Sequence, residues 1–418
     1  MKLVKKGLLY LRQNGIALTI RKTVNKCYRA IMNLPLRIAE PFVAAKRIKM
    51  LREKSKSKNA YIIIPCIDWH IPLFQRPHQI AWELSLRKNS IVFFLPDQYQ
   101  YDSFCFSREV KDDLFLYSIP VIGHLNKILS DCIDVTIMMT WTRQAGLLNK
   151  IVYDKFIYDY VDDLALFYYH DKEMEEIHQY LMKVADLTTV TADRLYKNAT
   201  TKAKKLLLSE NAGDYQFFNQ QKGCSANSLI APYLKKYKAV LGYYGCLAHW
   251  FDYETILFAA KERDNWLFII VGHLFDESAK KALLNKPDNI LYVPAQPYRK
   301  LPSFLTAFDI ALVPFVINDI TLATSPVKIF EYMAGGKPVL SSNLPECKKY
   351  KSVFRYRNKE DFIKQAENIL SSAKDPYYLS LLDKEARENT WGARVDNILE
   401  EISKCAEVCN GKSLYYNL

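Results

Sequence analysis

No stretch of 18 consecutive apolar residues occurs anywhere in the 418-residue chain, so no segment has the length to cross a bilayer as a helix. The N-terminus alternates charged and apolar residues and has no apolar core of the secretory kind, so no leader peptide is expected. The nine cysteines are scattered, only Cys405 and Cys409 lie close together, and no C-x-x-C pair exists. That pattern argues against a zinc site or a disulfide framework and suits a reducing cytoplasm. The dinucleotide fingerprint G-x-G-x-x-G is also missing, which excludes a conventional NAD or FAD site. Acidic residues are scarce at the N-terminus. Residues 1–58 hold 16 Lys and Arg against 2 Asp and Glu, a net +14 within a chain of +13, so residues 59–418 carry −1.

What is present points to two cores. Half of the residues are hydrophobic, and 418 residues exceed one ordinary domain. Residues 1–58 read as a basic, amphipathic helical extension. Ile16, Ile20, Val24, Cys27, Ile31 and Leu34 recur at helical spacing, flanked by Arg21, Lys22, Lys26 and Arg29. Asn14-Gly15 and Leu34-Pro35 read as breaks, and KRIKMLREKSKSK (46–58) as a polar linker. Such a segment either packs its stripe on the body or lies on anionic lipid, and the density of charge favours lipid. No Lys/Arg groove with stacking aromatics marks the rest of the chain, so nucleic acid is not an expected partner.

A strand (YIIIPC), a loop, a helix (QRPHQIAWELSLRKN) and a second strand (IVFFLP) open a Rossmann-like domain over 59–211. Short apolar strands follow at 114–120, 135–141, 156–162, 187–191 and 205–210. A polar stretch without period marks a linker over 212–238. A second Rossmann-like domain begins with AVLGYYG (239–245) and runs to about 385, and helices close the chain over 386–418.

The most informative stretch is SPVKIFEYMAGGK (325–337). It follows the apolar strand DIALVPF and the loop VINDITLAT. Ser325 is suited to cap a helix and Pro326 to its first turn, where the missing N–H costs nothing. Ile329, Phe330 and Met333 share a face, and Gly335-Gly336 ends the helix. A helix N-terminus is thereby delivered to the carboxyl end of a parallel strand, where open α/β sheets bind ligands and where anions are favoured. Lys328 adds a positive charge in the first turn. Glu331, one turn on, can accept hydrogen bonds from a vicinal diol. A phosphate clamp and a diol acceptor on one helix suggest a nucleotide diphosphate.

The motif S-P-x-K-x-x-E-Y-x-A-x-G-K-P-V resembles the donor-binding motif of family-four-type glycosyltransferases with the GT-B fold. The resemblance implies two Rossmann-like domains facing a cleft, a diphosphate held by Ser325, Pro326, Val327 and Lys328, and a ribose on Glu331. D-W-x(5)-Q-R-P-x-Q-I-A (68–81) resembles the first domain of those members that serve bacterial surface polysaccharides. N-A-G-D-Y-Q-F-F (211–218) resembles the family's segment at the domain junction, and the stretch after Asn389-Thr390-Trp391 its C-terminal helix that returns to the first domain. One departure stands out. The family often carries E-x7-E, and the position of its first glutamate is Ala323.

Other candidates complete the expected site. Gly245 can let a backbone approach phosphate or can be an ordinary turn glycine. His273 ends a strand and can face the donor. Gln296 and Tyr298 resemble the segment that contacts the base, with Tyr298 either stacking on it or packing. In the first domain Asp68, His70 and Arg76 lie in the loop and helix start facing the cleft, and His124 follows Gly123; these are the catalytic candidates, with Arg76 able to bind phosphate. Asp159 and Asp162-Asp163 suggest a D-x-x-D metal site, but the resemblance implies metal-independent chemistry and no cofactor. The expected activity is transfer of a sugar from a nucleotide-diphosphate sugar to a lipid-linked or growing surface glycan, with retention, at the inner face of the plasma membrane. A nucleotide-sugar 2-epimerase and an inactive scaffold are the alternatives.

Overall fold

The structure, a computed structural model, describes residues 34–71, 73–98, 102, 104, 106–166, 170–372 and 375–405, with side chains from residue 44 onward. The apolar stripe from Ile16 to Ile31 lies outside these residues.

Among the described residues, fourteen strands make two sheets. The first contains β1 (Asn59–Ile64), β2 (Ser90–Phe94), β3 (Ser107–Lys111), β4 (Leu114–Tyr117), β5 (Asp134–Met139), β6 (Lys155–Tyr160), β7 (Leu187–Val190) and β8 (Leu206–Leu208). Its order is β3-β4-β2-β1-β5-β6-β7-β8, parallel apart from the antiparallel edge pair β3–β4. The second contains β9 (Ala239–Tyr244), β10 (Trp266–Gly272), β11 (Ile290–Pro294), β12 (Ile310–Val313), β13 (Val339–Ser342) and β14 (Val353–Tyr356). Its order, β11-β10-β9-β12-β13-β14, is parallel throughout. Strands buried on both faces read as continuous apolar runs, which is why most were visible in the sequence. The exception, β3, is a short charged edge strand with a bulge between Glu109 and Lys111, a form that discourages further pairing.

The period of two along each strand divides the first domain into two cores. Ala60, Ile62 and Ile64 of β1, with Ile91 and Phe93 of β2, face one side; Ile63, Val92 and Phe94 face the other. Helix α1 (Leu34–Ser55) covers the first side, and α2 (Arg76–Ser85) covers the second. The final helix of the described chain, α6 (Trp391–Ser403), returns from the second domain to pack Val395, Ile398 and Ile402 beside α2. Arg87 holds it there through Asp396 at 2.8 Å and the Gly392 carbonyl at 3.0 Å.

Helix α1 starts at Leu34-Pro35, where proline is tolerated in a first turn, and it corrects one expectation. The stretch 46–58 is mostly helix and not a linker. Ala44, Ile48, Leu51 and Ser55 fall at spacings of four, three and four, and Leu51 is fully buried against the sheet. Several of its charges are matched: Arg52 with Asp131 at 2.7 Å, Lys54 with Glu109 at 2.7 Å, and Lys58, just beyond it, with Asp113 at 2.6 Å. The buried stripe is only one residue wide per turn, so the surrounding lysines and arginines hide it from composition.

Helices α3 (Tyr215–Gln220), α4 (Val327–Ala334) and α5 (Pro376–Glu388) complete the part that positions the site. Helix α4 carries the 325–337 motif and is buried on nearly all sides. It ends in a Schellman arrangement: the Gly336 N–H donates to the Met333 carbonyl and the Lys337 N–H to the Tyr332 carbonyl, both at 2.9 Å. Gly336 sits at φ 72°, which glycine adopts without strain.

Candidate functional site

The carboxyl ends of the two sheets meet. Tyr298, beyond β11, lies 6.2 Å from the Phe74 ring in the loop after β1, and Asn211, beyond β8, bonds to Ser325 beyond β12. The site is assembled from these loops.

On the second domain, α4 begins at Val327 with Pro326 as its N-cap, and no side chain caps it. Ser325 therefore does not have the capping role expected of it. Its hydroxyl and carbonyl face the first domain, where both accept hydrogen bonds from Asn211. The N–H groups of Val327 and Lys328 precede the first intrahelical bond, so the helix start offers unsatisfied donors. The Lys328 side chain folds back over the loop after β9. A Cβ on Gly245 would fall 2.2 Å from Lys328 Cε and 2.8 Å from Nζ. Gly245 has φ 149°, its N–H donates to the Val271 carbonyl, and its own carbonyl would lie 1.8 Å from a Cβ on Gly272. Gly245 is thus a floor for Lys328. It is not a free phosphate donor, because its N–H is already engaged.

The walls around Lys328 are aromatic. Nζ stands 5.6 Å from the Tyr243 ring centre and 5.8 Å from that of Phe315. Burial pushes the ammonium below its usual 10.5, and the Glu331 charge partly opposes this. An anion entering here would meet a poorly hydrated cation together with a helix N-terminus, the combination that binds phosphate.

Glu331 is 5% exposed and lies one turn further along. Burial raises its carboxyl above 4.5; the Tyr244 hydroxyl, the Lys328 charge and the Tyr298 hydroxyl pull it back in part. Both tyrosine hydroxyls are buried and directed at the Glu331 carboxylate, so the three side chains form one polar corner. Tyr298 is packed: its ring stacks on Phe217 at 5.6 Å, with Phe218 edge-on at 5.8 Å. Of its two expected roles, packing is the one the structure displays. Gln296 reaches the Pro294 carbonyl, and the exposed His273 contributes its carbonyl to the Leu247 N–H. Ala323 is buried beside the first domain's core.

On the first domain, the loop after β1 is braced by His78. Its Nδ1 accepts from the Gln75 N–H and its Nε2 donates to the Asp68 carbonyl, both at 3.0 Å, and burial lowers its pKa to about 4. His70 Nδ1 meets an oxygen of Asp102, whose other oxygen accepts the Trp69 N–H. Asp68 in turn accepts the Asp102 N–H at 3.3 Å. Asp102 is buried while the His70 side chain is 44% exposed. Sequence reasoning missed Asp102. Its signal was an acidic residue in the loop after β2, which the order β2-β1 places beside the loop after β1. His124 ends a separate 3-10 helix, Ile119–His124, with its ring stacked on Phe106.

Arg76 is a correction. It is 5% exposed and grips Asp159 with two nitrogens at 2.9 Å. Its remaining nitrogen reaches the Glu210 carbonyl and Asn211, and the guanidinium faces the Trp391 ring. With these donors engaged it has no fork to offer a phosphate. The same bond removes Asp159 from any D-x-x-D metal set, and Asp163 is directed to the Ala165 N–H and Arg194.

Comparison with known proteins agrees with this geometry. Residues 248–372 match the glycosyl transferases group 1 family. The chain is 28% identical over 231 residues to TuaH of Bacillus subtilis, named as a teichuronic acid biosynthesis glycosyltransferase; the match covers 53% of this chain and 57% of TuaH, little more than half the length of that relative. Among solved structures, sucrose-phosphate synthase from Thermosynechococcus elongatus superposes with a TM-score of 0.60 at 13% identity, over 82% of this chain and 98% of that one. Anabaena Alr3699/HepE, in complex with UDP and glucose, superposes with 0.56 at 14% identity, over 83% and 100%. The architecture is therefore GT-B, and the second domain holds the stretch that is similar to the group 1 family.

Proposed function

We propose that this GT-B chain, whose second domain is similar to the group 1 family, is a glycosyltransferase that moves a sugar from a nucleotide-diphosphate sugar to a lipid-linked or growing bacterial surface glycan. One observation carries the reading. Lys328 and the start of α4 form an anion site floored by Gly245, with Glu331 and the buried hydroxyls of Tyr244 and Tyr298 one turn away. The diphosphate leaving group acquires charge during transfer, and Lys328 with the N–H groups of Val327 and Lys328 would stabilise it without a metal. Glu331 would accept from the ribose. Because Alr3699/HepE was captured with UDP, UDP-sugars are the first donors to test.

At the acceptor side, His70 is the group to meet the incoming hydroxyl. Asp102 at Nδ1 fixes the proton there and leaves Nε2 to accept a hydrogen bond. The family resemblance makes retention the expected course. The basic N-terminal segment would hold the enzyme on anionic lipid at the inner face of the plasma membrane. Lys46, Arg47 and Lys49 on the exposed side of α1, and Lys56 just beyond it, extend that charge onto the folded body. Removal of residues 1–33 leaves α1 in place and should abolish flotation with anionic liposomes, while nucleotide binding persists.

Incubation with a panel of UDP-, GDP- and ADP-sugars tests the activity. Release of nucleoside diphosphate is expected from at least one of them. A product with an altered sugar still attached to nucleotide would identify the epimerase, and the absence of turnover and binding throughout would leave the scaffold reading.

A further inference from the structure

We propose that Asn211, which belongs to the domain junction and is not one of the donor-contacting residues, is the positioning residue that aims Lys328; this rests on the donor site proposed above. Asn211 uses three groups at once. Its N–H donates to Ser325 Oγ at 3.2 Å, its Nδ2 donates to the Ser325 carbonyl at 2.8 Å, and its Oδ1 accepts from Arg76 Nη1 at 3.5 Å. Ser325 precedes the N-cap of α4, and no side chain caps that helix. The start of the helix is therefore fixed by a residue from the other domain.

The contact continues along the helix. A Cβ on Gly213 would lie 3.0 Å from both the carbonyl carbon and the Cβ of Phe330, so the 211–213 backbone lies directly on the second turn of α4. On its other side Asn211 adjoins a rigid frame. Arg76 is locked to Asp159 and reaches the Glu210 carbonyl at 3.3 Å, and that carbonyl also accepts from Arg394 at 3.1 Å. Arg76 is the first residue of α2, whose preceding loop carries His70. Arg76, Asn211 and Ser325 thus form one hydrogen-bonded line from the acceptor loop to the phosphate-binding helix. A shift in either domain alters the placement of the Lys328 ammonium.

The test is calorimetric titration with UDP, or with GDP or ADP if the wild type prefers one of these, on full-length protein. The variants are Asn211→Ala, Asn211→Asp, Lys328→Ala and the Asn211→Ala/Lys328→Ala double. Asn211→Asp keeps an oxygen for Arg76 but cannot donate to the Ser325 carbonyl, so it serves even if the alanine variant fails to fold. Each Asn211 variant should weaken binding about tenfold, the effect of one or two neutral hydrogen bonds. The double variant should bind no more weakly than Lys328→Ala alone, because no charge remains to be aimed. Unchanged affinity in Asn211→Asp, or losses that multiply in the double, would overturn the inference while leaving the donor site standing. If Lys328→Ala binds as the wild type does, or if the wild type binds none of the three nucleotides, the donor site falls and the inference with it.

Discussion

Helices α2 and α4 belong to different domains and begin alike. Each follows a loop at the carboxyl end of a parallel strand, has proline at its start, and carries a long cation in its first turn. The fates of those cations differ. Arg76 is clamped by a buried carboxylate and three further acceptors; Lys328 lies between two aromatic faces and over a glycine, with Glu331 one turn away. The same local sequence grammar therefore produces a structural rivet in one domain and a proposed binding group in the other. Position at a helix start does not distinguish them. What distinguishes them is whether the fold already supplies a counter-ion.

The comparison can be broken most severely at Arg76. Arg76→Ala leaves Asp159 buried and uncompensated, and loss of one partner from such a pair costs about 3–5 kcal/mol. Chemical denaturation should show that loss, and any effect on nucleotide binding should follow from it. Arg76→Ala with undiminished stability but abolished binding would mean that Arg76 and Lys328 share a role after all.

A smaller effect concerns pH. Phosphate binding favours the charged form of Lys328, so its pKa is higher in the complex than in the free protein. That contribution to affinity is complete below the free-state value, which burial holds under 10.5, and disappears as pH rises through the value in the complex. For Glu331 the signs reverse. A diol donating to the carboxylate lowers its pKa on binding, so the contribution is present above the free-state value, itself raised above 4.5, and is lost as pH falls through the value in the complex. Nucleotide affinity should describe a bell whose alkaline limb is missing in Lys328→Ala and whose acid limb is weakened in Glu331→Gln. A profile identical in all three proteins would contradict both assignments.

The two sides of the site also differed in how far the sequence revealed them. The proposed donor side is one continuous stretch, 325–337, and its lysine and glutamate lie on one helix, so spacing alone brought them together. The proposed acceptor side is discontinuous. His70 could be picked out from its loop, but Asp102 lies 32 residues away on the next strand's loop, and only strand adjacency joins them. Arg76 was misread for a related reason: its partners Asp159, Ser209 and Asn211 come from distant segments, and a local reading sees the cation without its counter-ion. Helix α1 was misread because a narrow apolar stripe, Ala44, Ile48 and Leu51, is outnumbered by surface charges. The parallel strands were legible because burial on both faces leaves uninterrupted apolar runs.

The account turns on Lys328 being the cation that the fold leaves for the ligand. Calorimetric titration of UDP into wild type and Lys328→Ala, with melting curves on both, tests this directly. Removal of one charge-assisted contact should cost about 1.5–3 kcal/mol, roughly ten- to a hundredfold in affinity, with the melting temperature unchanged or raised because a half-buried charge set between aromatic rings has gone. Equal affinity for UDP, or a loss of affinity that merely tracks a loss of stability, would contradict it.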